Sequence, residues 1–335
     1  MPLKDIIVIG SSAGGVEALR RICSRLPADF PASVFVAQHL APSGRSILPE
    51  ILSRSGPLHA EVPADGEAIQ QRRIYVAPPD HHLLVRSGVV LVRRGPHENR
   101  TRPSADALFR SAAVAYGARV IGVVLTGLLD DGTAGLIAIK AAGGTSIVQD
   151  PADAEWPSMP RNALQRDHVD SSLPLDAIPA LLEKLVTEEA GPSIPLPEEF
   201  DNEDRIAARE MAVLSEKLDL ATPGDFSPYS CPDCGGVLNR LETGEDLRFR
   251  CQVGHGFTPL GLVDAQNDGI EHALAVAVRT HKERIRLFDQ MSQSAQARGM
   301  LHATKRWRHA TDEAAQMISV LEDAMARLRR VSTDA

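Results

Sequence analysis

The sequence predicts an α/β protein built as a three-layer α/β/α sandwich on a mainly parallel sheet, followed by a small zinc-ribbon-like unit and a C-terminal helical hairpin. Three observations carry this. Short, almost purely apolar β-branched runs at residues 6–9, 33–37, 74–77, 120–125 and 145–148 alternate with helical stretches, the pattern of strands covered by helices on both faces. Three cysteines and a histidine cluster between residues 231 and 255. The end of the chain carries apolar stripes at helical spacing.

At 335 residues the chain exceeds one usual domain. The texture divides it into 1–187, an α/β domain; 188–225, a linker with a short helix at about 204–217; 226–262, the Cys/His unit; and 263–332, the hairpin. Within the first, residues 15–26 read as a helix with Val16, Leu19, Ile22 and Leu26 on its apolar side. Residues 83–92 read as a hairpin turning at Ser87-Gly88. Residues 188–199 are proline-rich, acidic and aperiodic. In the last unit Leu274, Val278, Ile285 and Phe288 form one stripe, and Trp307, Ala310, Ala314, Met317, Leu321 and Leu328 another. Gly299 lies where the chain would turn back.

Composition narrows the function. The net charge of −8 argues against nucleic acid as a partner. No apolar run approaches the roughly 18 residues of a membrane helix, so no membrane insertion is expected. The first residues lack the features of a secretory signal, making the cytoplasm the expected location. Cys23 reads as a small buried apolar residue.

The sharpest local signal is Gly10-Ser11-Ser12-Ala13-Gly14-Gly15, directly after an apolar strand and before a helix. Gly-x-Ser-x-Gly at such a turn is the recipe for a nucleophile elbow. It lifts Ser12, not Ser11, above the sheet edge, where N–H groups at the helix start can stabilise an oxyanion. The turn lacks Gly-x-Gly-x-x-Gly and a P-loop lysine, although a nucleotide-binding regulator remains a rival reading. His39 follows the second strand and is placed to act as general base. Asp130 and Asp131 both follow the 120–125 strand. One can orient the histidine and the other can cap a helix; the residues alone do not choose. The chain order Ser, His, Asp differs from that of α/β-hydrolases.

Taken together, these segments resemble the catalytic domain of the chemotaxis receptor methylesterases, the CheB family. The resemblance runs from residue 6 to about 165. It includes Ile9 to Gly15, Gln38-His39, Tyr75-Val76-Ala77-Pro78-Pro79-Asp80-His81-His82, Asn99 to Phe109, Leu125-Thr126-Gly127 with Asp131-Gly132, and Met159-Pro160-Arg161. It implies Ser12 as nucleophile, His39 as base and Asp131 as the carboxylate, with an oxyanion site near the backbone of Ala13 and Leu128. The implied activity is removal of methyl esters from glutamate side chains of chemoreceptor cytoplasmic domains, and for many members deamidation of receptor glutamines. No cofactor is implied for catalysis. Ala13 stands where the best-known members carry threonine. Those members also place a receiver domain before the esterase. The elbow begins here at residue 10, so control is expected to act through a regulatory protein or the C-terminal helices. A non-catalytic regulatory protein with an esterase-like domain is the alternative.

Of the other polar residues, Pro103 is expected to start a helix, with Ser104 or Asp106 capping it. Arg100 and Arg102 are candidates for the rim of the site, and His81 and His82 read as structural.

Cys231-Pro232-Asp233-Cys234 and Cys251-Gln252-Val253-Gly254-His255 have Cys₃His ligand spacing. The stretch between them suits a β hairpin. The expectation is structural zinc on Cys231, Cys234, Cys251 and His255, with His272 or a water the rivals for the last position.

Overall fold

The first apolar run becomes β1 (Ile6–Ser11), and its alternate side chains enter two different cores. Ile7 and Ile9 pack on one side of the sheet, Ile6 and Val8 on the other. The computed structural model describes residues 2–44, 46–166, 168–209, 225–243 and 246–333. The other strands of this sheet are β2 (Ser33–Gln38), β3 (His59–Glu61), β5 (Arg73–Val76), β8 (Val120–Val124), β9 (Thr145–Gln149) and β10 (Ser171–Leu173). Their order is β10-β9-β8-β1-β2-β5-β3, and every pair is parallel. Between β3 and β5 lies the short β4 (Glu67–Ala68), which joins the antiparallel hairpin of β6 (His82–Arg86) and β7 (Val89–Arg93) in a second sheet.

One face of the main sheet is covered by α1 (Gly15–Cys23), α2 (Leu48–Ser55) and α6 (Ile178–Leu185), through Leu19, Ile22, Leu52, Ile178 and Leu182. The other is covered by α3 (Ala105–Tyr116), α4 (Thr133–Ala141) and α5 (Ser158–Arg166), through Phe109, Leu136, Ile139 and Met159. From β1 the chain builds the sheet outward through β2, then crosses back to β8 on the opposite side. The carboxyl ends of β1 and β8 thus form a topological switch point, the usual place for a ligand site in an open parallel sheet.

Two details of the first helix differ from expectation. It ends at Cys23 rather than Leu26, because Pro27 disfavours helical backbone at the residue before it. Leu26 is buried all the same, whereas Val16 is exposed and Ala18 takes its place on the inner face. Cys23 is buried, and desolvation pushes its thiol up to about 12.

The segment expected as a linker carries α7 (Glu198–Ala207), whose Phe200 is buried in the second core. The helix thus begins before the expected position, and the rest of that expected helix, 210–217, lies outside the described residues. Four strands follow in one antiparallel sheet: β11 (Asp225–Ser230), β12 (Val237–Thr243), β13 (Asp246–Cys251) and β14 (Gly256–Phe257). By compactness the chain divides into residues 1–261 and 262–335, so these strands belong with the α/β layers.

The second unit is a helical hairpin formed by most of α8 (Pro259–Ala297) and by α9 (Leu301–Thr333), turning at Gly299 with φ of 72°. Phe288 stacks on Trp307 at 5.7 Å and Lys282 pairs with Glu322 at 3.0 Å. Met317, expected on the inner stripe, is exposed, whereas Ala314 is buried. Thr304, Trp307, Thr311, Ala314 and Leu321 mark the inward positions, a spacing nearer 3.5 residues than 3.6. Among the described residues no helix is long and apolar enough to cross a membrane.

Phe109 is fully buried beside Gly10. Phe109→Ala should therefore lower unfolding free energy by about 3–5 kcal/mol, read by urea denaturation.

Candidate active site

Ser12 and His39 are brought side by side by strand register. Gly10 faces Ala37 and Ser11 faces Gln38 across the β1–β2 pair, and the His39 N–H continues the ladder to the Ser11 carbonyl at 3.0 Å. Ser12 and His39 occupy the next position, on strands roughly 4.8 Å apart. Gln38 fastens this corner. It accepts the buried Ser11 hydroxyl at 2.7 Å and donates to the carbonyls of Ser12 at 2.8 Å and His39 at 2.9 Å. Ser11 is thereby held inside, and Ser12 is the more exposed of the two serines.

The turn after Ser12 needs glycine. Gly14 has φ of 74°, the left-handed region disfavoured for other residues. Across from it, a Cβ on Gly127 would lie 2.1 Å from Met159 Sδ and 2.8 Å from Ser12 Cβ. The Leu125-Thr126-Gly127 and Met159-Pro160-Arg161 segments therefore meet beneath the serine, joined by the Met159 N–H to the Gly127 carbonyl at 3.0 Å.

His39 Nε2 lies 2.7 Å from Asp131 Oδ2 and 3.4 Å from Thr101 Oγ1. Among the described residues no hydrogen bond joins the Ser12 hydroxyl to the imidazole. Such bonds are often long in unliganded sites, and Ser12 and His39 stand one position beyond the Ser11–Gln38 pair. Asp131 is 2% exposed. It also accepts from Ser104 Oγ at 2.8 Å and from the N–H groups of Ala105 and Asp106 at 2.6 and 3.1 Å. Burial opposes its charge, but the bonds from His39, Ala105 and Ser104 outweigh burial and hold its pKa below the usual value.

The capping expected from Ser104 or Asp106 on their own helix is supplied instead by Asp131 on the start of α3. Asp106 does the same for the other helix, accepting the N–H groups of Gly132 at 3.0 Å and Gly135 at 2.7 Å at the start of α4. Each helix thus has its positive end neutralised by a carboxylate from the other. Burial and then the nearby Asp131 raise the Asp106 pKa. The Asp130 side chain is engaged away from the two helix starts. It accepts the Thr258 hydroxyl at 2.9 Å and faces Arg166 at 3.7 Å. Arg102 is a clamp, with Nε donating to Asp80 at 2.9 Å and Nη1 to the Gly95 carbonyl. His82 is buried and donates to the Pro96 carbonyl, and burial lowers its pKa to about 4.

The neighbouring loop holds a buried ion cluster with little trace in the sequence reading. Glu98 pairs with Arg110, Arg248 and Arg250 at 2.9, 2.8 and 2.8 Å. Glu203 pairs with Arg110 at 3.1 Å, with Arg250 at 3.4 Å and with Arg248. The cluster ties α3, α7 and β13 to the loop carrying Asn99 and Thr101. Burial opposes the Glu98 charge, but the three guanidiniums outweigh it and hold its pKa well below the ordinary 4.5.

Cys231, Cys234, Cys251 and His255 offer four donor atoms all within 4.8 Å of one another. The Cys231 and Cys251 sulfurs are each 3.6 Å from His255 Nδ1, and Cys234 is 3.7 Å from Cys251. These are close to the edges, roughly 3.6–3.8 Å, of a tetrahedron with metal–ligand bonds near 2.0–2.3 Å. Gly235 and Gly254, both at positive φ, turn the two knuckles. His97 reaches from the α/β layers to the first knuckle at Asp233, 3.2 Å away.

The fold and site define an α/β domain in which a serine, a histidine and a buried aspartate meet at the carboxyl edge of a parallel sheet. The family model for the CheB methylesterase matches residues 7–182, and the chain belongs to that family. A protein-glutamate methylesterase/protein-glutamine glutaminase of Anaeromyxobacter dehalogenans is 39% identical over 181 residues, covering 54% of this chain and 53% of that protein. A putative one of Leptospira interrogans is 37% identical over 182 residues, covering 54% of this chain and 94% of that protein. The crystal structure of the Thermotoga maritima CheB methylesterase catalytic domain matches with a TM-score of 0.52 and 35% identity, over 54% of this chain and 98% of that one. The chain spans about half the length of several of the curated relatives it matches.

Because the folded pKa of Glu98 is depressed, its charge contributes stability that is full above about pH 4.5 and is lost as pH falls through the lower folded value. Glu98→Gln should destabilise the protein by about 3–5 kcal/mol at pH 7. It should also flatten the decline in stability on acidification, followed by urea unfolding from pH 7 to 3. An unchanged slope would contradict the assignment.

Proposed function

We propose that this chain is a serine methylesterase that removes methyl groups from glutamyl methyl esters of a protein, with chemoreceptor cytoplasmic domains as the substrate class and glutamine deamidation as a second reaction of the same site. The observation that carries this is the 2.7 Å contact between His39 Nε2 and Asp131, with His39 opposite Ser12 at the position after the Ser11–Gln38 pair.

In the proposed reaction the Ser12 oxygen attacks the ester carbonyl while His39 takes its proton. Asp131, kept ionised by its hydrogen bonds, orients the ring and stabilises the imidazolium. The N–H groups of Ala13 and Leu128 stabilise the oxyanion of the tetrahedral intermediate. His39 then protonates the leaving methoxide, methanol departs, and water activated by His39 hydrolyses the acyl-serine. An amide would follow the same course and release ammonia.

We infer that Cys231, Cys234, Cys251 and His255 hold a structural zinc ion. Three thiols and one imidazole within 4.8 Å of one another, with three of the separations at tetrahedral edge lengths, support this, and four protein ligands leave no position for a substrate. The ion would fasten the two knuckles, and no step of the ester chemistry passes through it.

Ser12→Ala should reduce methanol release from methylated receptor at least a thousand-fold, on the order of the loss in other serine hydrolases, with an unchanged circular dichroism spectrum. Retained release would end the esterase reading. Mass spectrometry of the native protein should find one zinc per chain, lost in Cys234→Ser; metal retained at full occupancy in that variant would exclude the ligand set.

A further inference from the structure

Thr258 lies outside residues 7–182, the part matched by the family model, yet it touches the acidic loop of the site. It is 1% exposed and stands between the end of β14 and the start of α8. Its hydroxyl accepts the Gly261 N–H at 3.0 Å and donates to Asp130 Oδ1 at 2.9 Å. A hydroxyl has a single proton, and a carboxylate can only accept, so that proton is committed to Asp130.

Its main chain acts on the same loop from the other side. The Thr258 N–H donates to Asn99 Oδ1 at 2.8 Å, which orients the amide so that Nδ2 donates to Asp106 Oδ2 at 3.1 Å. Asp106 in turn accepts the N–H groups of Gly132 and Gly135. Two hydrogen-bonded routes therefore run from Thr258, one ending on the residue before Asp131 and the other on the residue after it. Asn99 is held in place by its N–H to the Gly256 carbonyl at 2.8 Å, and its neighbour Glu98 by Arg248 and Arg250 of the same β unit.

We infer that Thr258 is a positioning residue of the esterase, through which the Cys/His unit sets the 130–132 loop and with it the contact between Asp131 and His39. The inference rests on the proposed esterase chemistry. Replacing the hydroxyl with a methyl of similar size removes one buried donor to Asp130 Oδ1, and the loop that this bond holds shifts. A shift of the base by a fraction of an ångström affects turnover more than substrate binding.

The test is the rate at which a fluorophosphonate probe labels Ser12, with kcat and KM for a glutamyl methyl ester peptide, in the full chain. Thr258→Val should slow labelling and kcat about ten-fold or more with little change in KM, and Thr258→Ser should restore both. Thermal melts identify a variant that fails to fold, in which case Thr258→Ala replaces valine. Labelling at the wild-type rate in a folded Thr258→Val, or a serine variant as slow as valine, would overturn the inference and leave the esterase reading intact. A wild-type protein that the probe does not label would instead remove the esterase reading itself.

Discussion

The site depends on an exchange of carboxylates between two helices. Asp131, just before α4, caps α3, and Asp106, in the first turn of α3, caps α4. Two buried acids this close repel, and each would be costly alone. Every backbone N–H they accept is an orphan donor at a helix start, so satisfying the helices and holding the acids are the same act. The exchange fixes the direction of the one Asp131 oxygen that faces His39. A single substitution in either acid would leave the other without its geometric partner.

The parallel sheet supplies the rest. Once β1 and β2 pair in register, Ser12 and His39 are neighbours whatever the loops beyond them do. Once β8 pairs on the other side of β1, the loop bearing Asp131 emerges at the same edge. The chemistry is then a consequence of which strand is central. Around it, the Cys/His unit is bound by buried ions and by Thr258 to the loops flanking the imidazole, although it lies outside the family match.

Much of this was legible in the sequence because strand periodicity and turn glycines are local signals. The runs at 6–9 and 33–37, the Gly10–Gly15 turn and the Cys-x2-Cys knuckle needed no knowledge of distant residues. The choice between Asp130 and Asp131 could not be made locally: both follow β8, and only the position of the start of α3 separates them. Ser104 and Asp106 looked like caps of their own helix, and nothing nearby showed that the acid would come from across the interface. Arg248 and Arg250 alternate about Phe249 in a strand that, taken alone, would present them to water. Their burial follows from Glu98 and Glu203, about 150 and 45 positions earlier. Val16 and Met317 are exposed because an apolar stripe in a helix sequence is wider than the face that packs.

The most direct test of the account is peptide mapping after reaction with diisopropyl fluorophosphate, comparing the native protein with Asp131→Asn. The account predicts one adduct, on Ser12, in the native protein, and labelling slowed by orders of magnitude when Asp131 no longer presents a carboxylate to His39. An adduct on another serine, or equal labelling of the two proteins, would contradict it.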